Sequence, residues 1–316
     1  MNIDIEKNLL LEDVEDLFNN SPIVTFFHTP LWLDALTQAF ERFEGQWITV
    51  LDGGNIKGVM PVIKAAKGLL YSCWSMPFAT YGGPVALDAE TERALLDEFF
   101  KMAESTLCFK AQTFLNRSSL EFETPSGVVS SVFHYHVVDL SSGFDDYWSG
   151  SIRSKRKQLY RKSLREGIEP RMLEDTGELE SFYSIYLENS RSWGGVHPYP
   201  FELFSRLFEH NGRSVLFLGG YKGDQMLGAN VVFYFKDSAQ AWQAAMTEES
   251  YDFHLSEVLI IEGIREACKR GIRSYNLGAS NRNEGIMEFK ESMGGVEHTG
   301  LSLSGKKGLL KRMFNR

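Results

Sequence analysis

Between residues 247 and 254 the chain reads Thr247-Glu248-Glu249-Ser250-Tyr251-Asp252-Phe253-His254. Carboxylates and an imidazole this close together are proton acceptors. Glu248 and His254 are the expected general bases for a reaction that must deprotonate an attacking group. The alternative is a water-exposed loop in which Asp252 or Ser256 caps the next helix. A second concentration of charge lies at 152–165, where Arg153, Lys155, Arg156, Lys157, Arg161, Lys162 and Arg165 crowd a few helical turns. Like charges so placed repel one another. The segment is expected either to meet an anionic partner, with Arg153 and Arg156 among the contacts, or to be a solvated helix.

Other reactive side chains point to less chemistry. His134 and His136 alternate, so on a strand they share a face. No third ligand stands at a metal-like spacing, and no metal is expected. Cys73, Cys108 and Cys268 are far apart and odd in number, as expected for reduced thiols. The chain has no Gly-x-Ser-x-Gly elbow, Walker loop or His-Glu-x-x-His helix, so neither a covalent nor a metal mechanism has sequence support. The formal net charge of −9 disfavours DNA, and any RNA contact needs a local basic patch.

The elements that must position these residues follow from length and pattern. A chain of 316 residues exceeds what one core usually serves, so two domains are expected, 1–150 and 151–316. Apolar residues at 43% and charged residues at 24% exclude disordered and collagen-like classes. In the first half, Pro30 suits the opening turn of a helix. Residues 47–51 and 59–63 read as strands joined by the Asp52-Gly53-Gly54-Asn55 turn. Residues 91–105 read as a helix burying Leu95, Leu96, Phe99, Phe100 and Met102.

The second half repeats the plan. Helices are expected at 179–193 and 200–210, and strands at 214–219, 227–235 and 239–246. Another helix is expected at 256–270, with Ser256 at its N-cap, and a strand at 274–277. The order helix, helix, hairpin, strand, helix, strand occurs twice, which predicts an internal structural repeat and an α/β class built on mixed sheets. The longest apolar runs, such as 229–235, are strand-sized, so no membrane span is expected. The first residues lack a basic start and an apolar run, and a cytoplasmic protein is expected.

An ordered set of motifs runs from His28-Thr29-Pro30-Leu31-Trp32 through Tyr81-Gly82-Gly83-Pro84. It continues through the basic helix ending at Glu166-Gly167-Ile168, then Tyr275-Asn276-Leu277-Gly278, Phe289-Lys290 and Gly294-Gly295. This set resembles the Fem-type peptidyltransferases and their acetyltransferase-like relatives, which are tandem domains of the GNAT acyltransferase fold. It is most similar to the broad bacterial branch linked to exopolysaccharide or cell-envelope genes. The resemblance implies an acyl- or aminoacyltransferase acting on an amine, with no tightly bound cofactor. The donor would be aminoacyl-tRNA or acyl-CoA. The acceptor would be a small-molecule or lipid-linked amine, and an amino sugar is one alternative. A binding protein that kept the fold and lost the reaction is another.

Such a transfer needs the reactants held together, donors for a developing oxyanion, and a base for the amine. The resemblance implies that Lys290, beside Phe289, lies near the donor or the tetrahedral intermediate; a surface lysine on a short helix is the alternative. It also implies that Arg191 grips an acceptor phosphate, where a helix-end cation would be the plain reading. Tyr199 is the residue placed to orient an acceptor, if it is not merely packed. A tRNA donor would meet the basic 152–165 segment. Two departures stand out. Acyl-CoA enzymes of the fold carry a glycine-rich loop where this chain has the acidic, glycine-free 247–254. Where peptidoglycan-type members place a lysine after the tryptophan, this chain has Leu36, which argues against a nucleotide-linked acceptor. The basic, apolar stretch 305–314 is expected to touch anionic lipid weakly, or to fray.

Overall fold

The computed structural model describes residues 2–105, 107–192, 198–280 and 283–306. It separates into two compact units. One holds the chain up to Phe133 together with the residues from Thr299 onward, and the other holds His134–His298. The change of unit therefore falls at 133/134 and again at 298/299, and not near residue 150. Neither change falls at a Pro- or Gly-rich linker; both lie inside continuous strands.

The first unit begins with β1 (Asn2–Glu6), α1 (Leu11–Asn20) and α2 (Pro30–Ala39). The hairpin of β2 (Phe43–Asp52) and β3 (Asn55–Lys67) follows, then β4 (Leu70–Ser75), the two-residue β5 (Val85–Ala86), α3 (Ala89–Met102), β6 (Cys108–Leu115) and β7 (Val128–Asp139). The chain continues through α4 (Gly143–Asp146), α5 (Ser154–Arg165), β8 (Ile168–Met172), α6 (Thr176–Ser190) and α7 (Phe201–Phe208). Then come β9 (Val215–Lys222), β10 (Gln225–Phe235), β11 (Ser238–Met246), α8 (Leu255–Lys269), β12 (Ser274–Ala279), α9 (Glu284–Ser292) and β13 (Val296–Lys306).

Within the first unit the strands lie in the order β1-β2-β3-β4-β6-β13. All neighbours are antiparallel except β4 and β6. Within the second the order is β8-β9-β10-β11-β12-β7, again with one parallel pair, β11 and β12. A parallel pair needs a long crossover, and α3 and α8 supply it. The repeat expected from the element order is thus present as a repeat of sheet topology. Each sheet ends on a strand drawn from elsewhere in the sequence: β13 completes the first, and β7 the second.

The cores form where the periodicities placed them. Leu95, Leu96, Phe99 and Phe100 recur at helical spacing on α3 and pack on Ile48, Val50, Met60 and Val62 of the sheet. Asp88 caps α3 by accepting from the Thr91 amide at 2.7 Å. In the second unit Val258, Leu259, Ile261 and Ile264 of α8 pack with Leu216, Leu218, Leu227 and Val232. The N-cap of α8 is His254, not Ser256, and it sits in the left-handed region at φ 47°. Ser256 lies inside the first turn, with its Oγ 3.2 Å from the Met246 sulfur. No helix among the described residues is long and apolar enough to cross a membrane.

The Tyr81-Gly82-Gly83-Pro84 segment is a structural turn against the end of β4. The Gly82 amide donates to the Phe114 carbonyl at 2.7 Å, and the Gly83 amide to the Ser75 hydroxyl at 2.7 Å. A Cβ at Gly82 would lie 2.0 Å from the Ser75 carbonyl oxygen, a backbone atom with no room to retreat. Gly82→Ala is therefore expected to destabilise the fold by about 1–3 kcal/mol through overpacking. Urea denaturation would show this as a lower midpoint, and an unchanged midpoint would refute the close approach.

Candidate functional site

The second unit's parallel pair is open. β11 and β12 are in register at Ser238/Ser274, Ala239/Tyr275 and Gln240/Asn276, and the pairing stops there. β11 nevertheless continues to Met246 and β12 to Ala279. Two further irregularities lie at the same level. Against β10, Val231 faces Gln243 while Val232 faces Ala241, so Trp242 is the extra residue of a β-bulge. Against β7, the register of β12 slips between Asn276 and Ala279, and Gly278 within that slip has φ +80°. Bulges interrupt pairing and re-aim side chains, and they recur beside active sites.

Polar side chains occupy the gap so made. The Gln240 side-chain amide donates to the Ala241 carbonyl at 2.7 Å. Asn276 Oδ1 accepts from the Gly278 amide at 2.7 Å. Lys290, on α9, is buried, with 9% of its surface exposed. Its Nζ donates to the carbonyls of Gly278 at 2.8 Å and Ala279 at 2.7 Å. A Cβ at Gly278 would lie 3.9 Å from Lys290 Nζ and 4.0 Å from Gln240 Nε2, so these groups converge on one point. Asn283 fixes the start of α9 by accepting from the Ile286 amide at 3.1 Å. An ammonium has three N–H donors; two are used among the described residues. Burial lowers the Lys290 pKa to about 8.

His136 stands beside this lysine. It is fully buried, and its Nδ1 lies 3.3 Å from the Ser280 hydroxyl. Burial lowers its pKa, and the nearby Lys290 ammonium lowers it further. His134 turns instead to Glu297, 3.2 Å away. The two histidines expected to share a strand face thus have different partners. Among the described residues no cluster of three or more His, Cys, Asp or Glu could hold a metal ion.

The other candidates fall into three groups. Phe289, Arg153 and Arg156 lie with Lys290 around α9. The Arg156 guanidinium rests over the Phe289 ring, 4.6 Å from its centroid. It also donates to Glu257 at 2.6 Å and to the Ser292 hydroxyl at 2.7 Å, so it joins α5, α8 and α9. Arg153 is exposed, with Glu288 at 3.8 Å and Glu291 at 4.0 Å. The rest of α5 presents Lys155, Arg161, Lys162 and Arg165 to solvent. Lys157 and Arg161 lie over Trp148, at 5.8 and 5.3 Å from its ring centroid.

Tyr199 reaches the site by packing. Its ring lies flat on Trp242, the bulge residue, at 5.4 Å and 6°, and burial raises its hydroxyl pKa. Arg191 is the exposed C-cap of α6. Two residues earlier, Asn189 ties α6 to the end of β11 by exchanging two 3.0 Å hydrogen bonds with the Met246 backbone. Trp193 lies outside the described residues. Glu248 is exposed in a short 3-10 turn, and His254 is half-buried at the start of α8 with no side-chain capping bond. Gln240, Trp242, Asn276, Gly278, Asn189 and His136 complete the site, and none was selected for it from sequence. Asn276 and Gly278 stood in a noted motif, but their roles arise from a broken pairing that sequence does not display.

The geometry has relatives. Residues 150–291 match the family model of the acetyltransferase (GNAT) domain. In structure the chain is similar to FemX, with a TM-score of 0.72 and 11% identity over 100% of both chains. The fold is a Fem-like tandem GNAT fold. It is also similar to a tandem GNAT protein from the clavulanic acid biosynthesis pathway, with a TM-score of 0.60 and 12% identity over 97% of this chain and 99% of that one. L-PGS from Bacillus licheniformis gives a TM-score of 0.58 and 13% identity, covering 98% of each. No curated protein sequence matches the chain. The open strand pair, Lys290 and the Arg156–Glu257 pair all lie within the stretch matched by the GNAT model.

Arg153 and Arg156 are expected to behave very differently on removal. Glu257 is 7% exposed at its side chain, so Arg156→Ala strands a buried carboxylate and should cost about 3–5 kcal/mol. Arg153→Ala, at an exposed and loosely paired position, should stay within about 0.5 kcal/mol. Guanidinium denaturation of the two variants measures the difference, and equal effects would refute the linking role of Arg156.

Proposed function

We propose that this chain is an acyl- or aminoacyltransferase that joins an activated carbonyl to an amine, and that the reaction runs where β11 and β12 part. The observation that carries this reading is the buried Lys290 ammonium, anchored at the gap by two carbonyls, with its third donor unused among the described residues. As the amine attacks, negative charge gathers on the carbonyl oxygen. A fixed cation in a dry site stabilises that charge far better than water does. The amine's proton passes to a base, for which Glu248 and His254 are the candidates; both precede α8 directly. As the tetrahedral intermediate collapses, the bond from the carbonyl carbon to the donor's ester oxygen or thioester sulfur breaks, and the carrier leaves as a hydroxyl or thiol carrying the proton the amine lost.

Aminoacyl-tRNA is the donor we favour. The exposed carboxylates of Glu248 and Glu249 repel a diphosphate, and the exposed cations of α5 suit a polyanion. Acyl-CoA is the second reading, favoured by the open strand pair: an extended thioester arm can enter such a gap as an added strand. For the acceptor we propose an amine carrying an anionic group within reach of exposed Arg191, as in a lipid-linked precursor or an amino sugar of the cell envelope or an exopolysaccharide, modified in the cytoplasm.

Lys290→Met keeps the volume and removes the charge. It should lower kcat about 100-fold or more, the scale of losing one oxyanion donor, while the protein stays folded by circular dichroism. Unchanged turnover would remove Lys290 from the mechanism and favour a binding protein without catalysis. Thermal-shift titration with acetyl-CoA, longer acyl-CoAs and aminoacyl-tRNA separates the donors; a shift with the CoA thioesters alone would overturn the tRNA preference.

The lowered pKa sets the sign of a pH effect. Lys290 holds its charge below about 8 and loses it as pH rises through that value. The rate of the wild-type protein should therefore fall on the alkaline side of about 8. The residual rate of the Lys290→Met variant should lack that limb. A limb of the same midpoint in both proteins would assign it to another group.

A further inference from the structure

Residues 307–314 of the basic C-terminal stretch lie outside the described residues. Two other features that the acyl-transfer site leaves unused, His136 and the Gly294-Gly295 pair, lie together behind Lys290. Between β12 and β7, Asn276 faces Val137 and Ala279 faces Tyr135. His136 is thus the single β7 residue set against two of β12, Leu277 and Gly278. It stands opposite the slip that turns the Gly278 and Ala279 carbonyls towards Lys290. Its Nδ1 reaches the Ser280 hydroxyl at 3.3 Å, and the Ser280 amide donates to the His134 carbonyl at 3.4 Å. Both bonds tie the end of β12 to β7, directly after a residue that anchors the lysine.

The helix that carries the lysine presses on the same histidine. The Gly295 amide donates to the Lys290 carbonyl at 2.9 Å. A Cβ at Gly295 would lie 2.9 Å from that carbonyl oxygen and 3.1 Å from His136 Cβ, so glycine lets the end of α9 come this close. The charged groups that act on the ring are Lys290 and Glu291 on α9, Glu297 on β13 and His134 on β7. Leu277, Gly278 and Ser280, on the β12 side, carry no charge. His136 is fully buried, and its Nε2 has no hydrogen-bond partner among the described residues. An imidazolium carries an N–H on both nitrogens and would lack an acceptor there. Burial disfavours the charged ring most, and the Lys290 ammonium adds to it.

We propose that His136 is a positioning residue for Lys290: its uncharged ring holds the end of β12 so that the ammonium stays at the gap, and a proton on the ring undoes this. Two cations then stand side by side in a buried place, where like charges repel far more strongly than in water. The ammonium is driven off its carbonyls or gives its proton to solvent. Either way the developing oxyanion loses its partner. The effect on rate rests on the acyl-transfer reading; the coupling of the two side chains does not.

Two measurements on the full chain test this. In NMR titrations of the wild-type protein, the Lys290 side-chain signals should shift with the midpoint of the His136 ring, which lies below the ordinary histidine value. In His136→Asn, which sets an amide near the place of Nδ1 and takes no proton, that shift should vanish. Lys290→Met should raise the His136 midpoint, because the ammonium that opposes its proton is gone. Lysine signals that ignore the His136 titration, or a His136 midpoint that Lys290→Met leaves in place, would overturn the proposal without reference to turnover. The Lys290→Met titration keeps His136, so it decides even if His136→Asn does not fold. In kinetics, wild-type kcat should fall about tenfold for each pH unit below the His136 midpoint. His136→Asn should lose this acid limb and keep the alkaline one. An acid limb retained in His136→Asn would assign it to another base and leave His136 a packing role only. Turnover that survives Lys290→Met counts against the acyl-transfer reading alone.

Discussion

Backbone groups must be paired, and a parallel strand pair that opens after three residues leaves several of them without a ladder partner. Much of the candidate site follows from that constraint. Gln240 turns its amide back onto the Ala241 carbonyl, Asn276 accepts the Gly278 amide, and Lys290 takes the Gly278 and Ala279 carbonyls. The cleft between β11 and β12 is thus lined by side chains doing work that a strand would otherwise do. A cation is an apt choice for two adjacent carbonyls, because each lone pair it meets offsets part of the cost of its burial. Burial still dominates, and the lysine's affinity for its proton falls.

The surroundings hold this arrangement rigid. α9 carries Lys290 and is fixed by the Asn283 cap at its start and by Arg156 near its end. Arg156 in turn satisfies buried Glu257 on α8, the helix that bridges the two open strands. Asn189 pins the far end of β11 to α6. The Tyr199–Trp242 stack buttresses the bulge, and Tyr186 and Phe204 extend it. His136 is kept neutral by its burial and by the neighbouring ammonium, so a second positive charge does not form beside Lys290 near neutral pH.

The first unit is built to the same plan and lacks the opening. Its parallel strands β4 and β6 stay paired from Tyr71/Cys108 to Ser75/Thr113, the last residue of β4. Gly82 and Gly83 then fold the following turn tightly against Ser75. The same topology therefore gives a closed pair in one unit and an open pair in the other. The difference lies in a bulge, a left-handed glycine and a buried lysine.

Local information in the sequence determined the elements and their repeat. Apolar spacing marked α3 and α8, Asp52-Gly53-Gly54-Asn55 marked the β2–β3 turn, and the twofold element order marked the tandem class. These are short-range signals, set by side-chain period and turn chemistry. The motif resemblance singled out Lys290, whose ammonium lies at the open strands, and Phe289, whose ring packs under the Arg156 guanidinium. Only the tertiary structure decided the rest. Which strand completes each sheet depends on pairings between residues far apart in sequence, so the unit boundary could not be read near residue 150. The spread of the basic segment into a link to Glu257 and an exposed face depends on which side of α5 meets α8. The parting of β11 and β12 is a missing contact between distant strands. Nothing in either strand's own residues announces it, because a backbone hydrogen bond that fails to form leaves no mark on side-chain type.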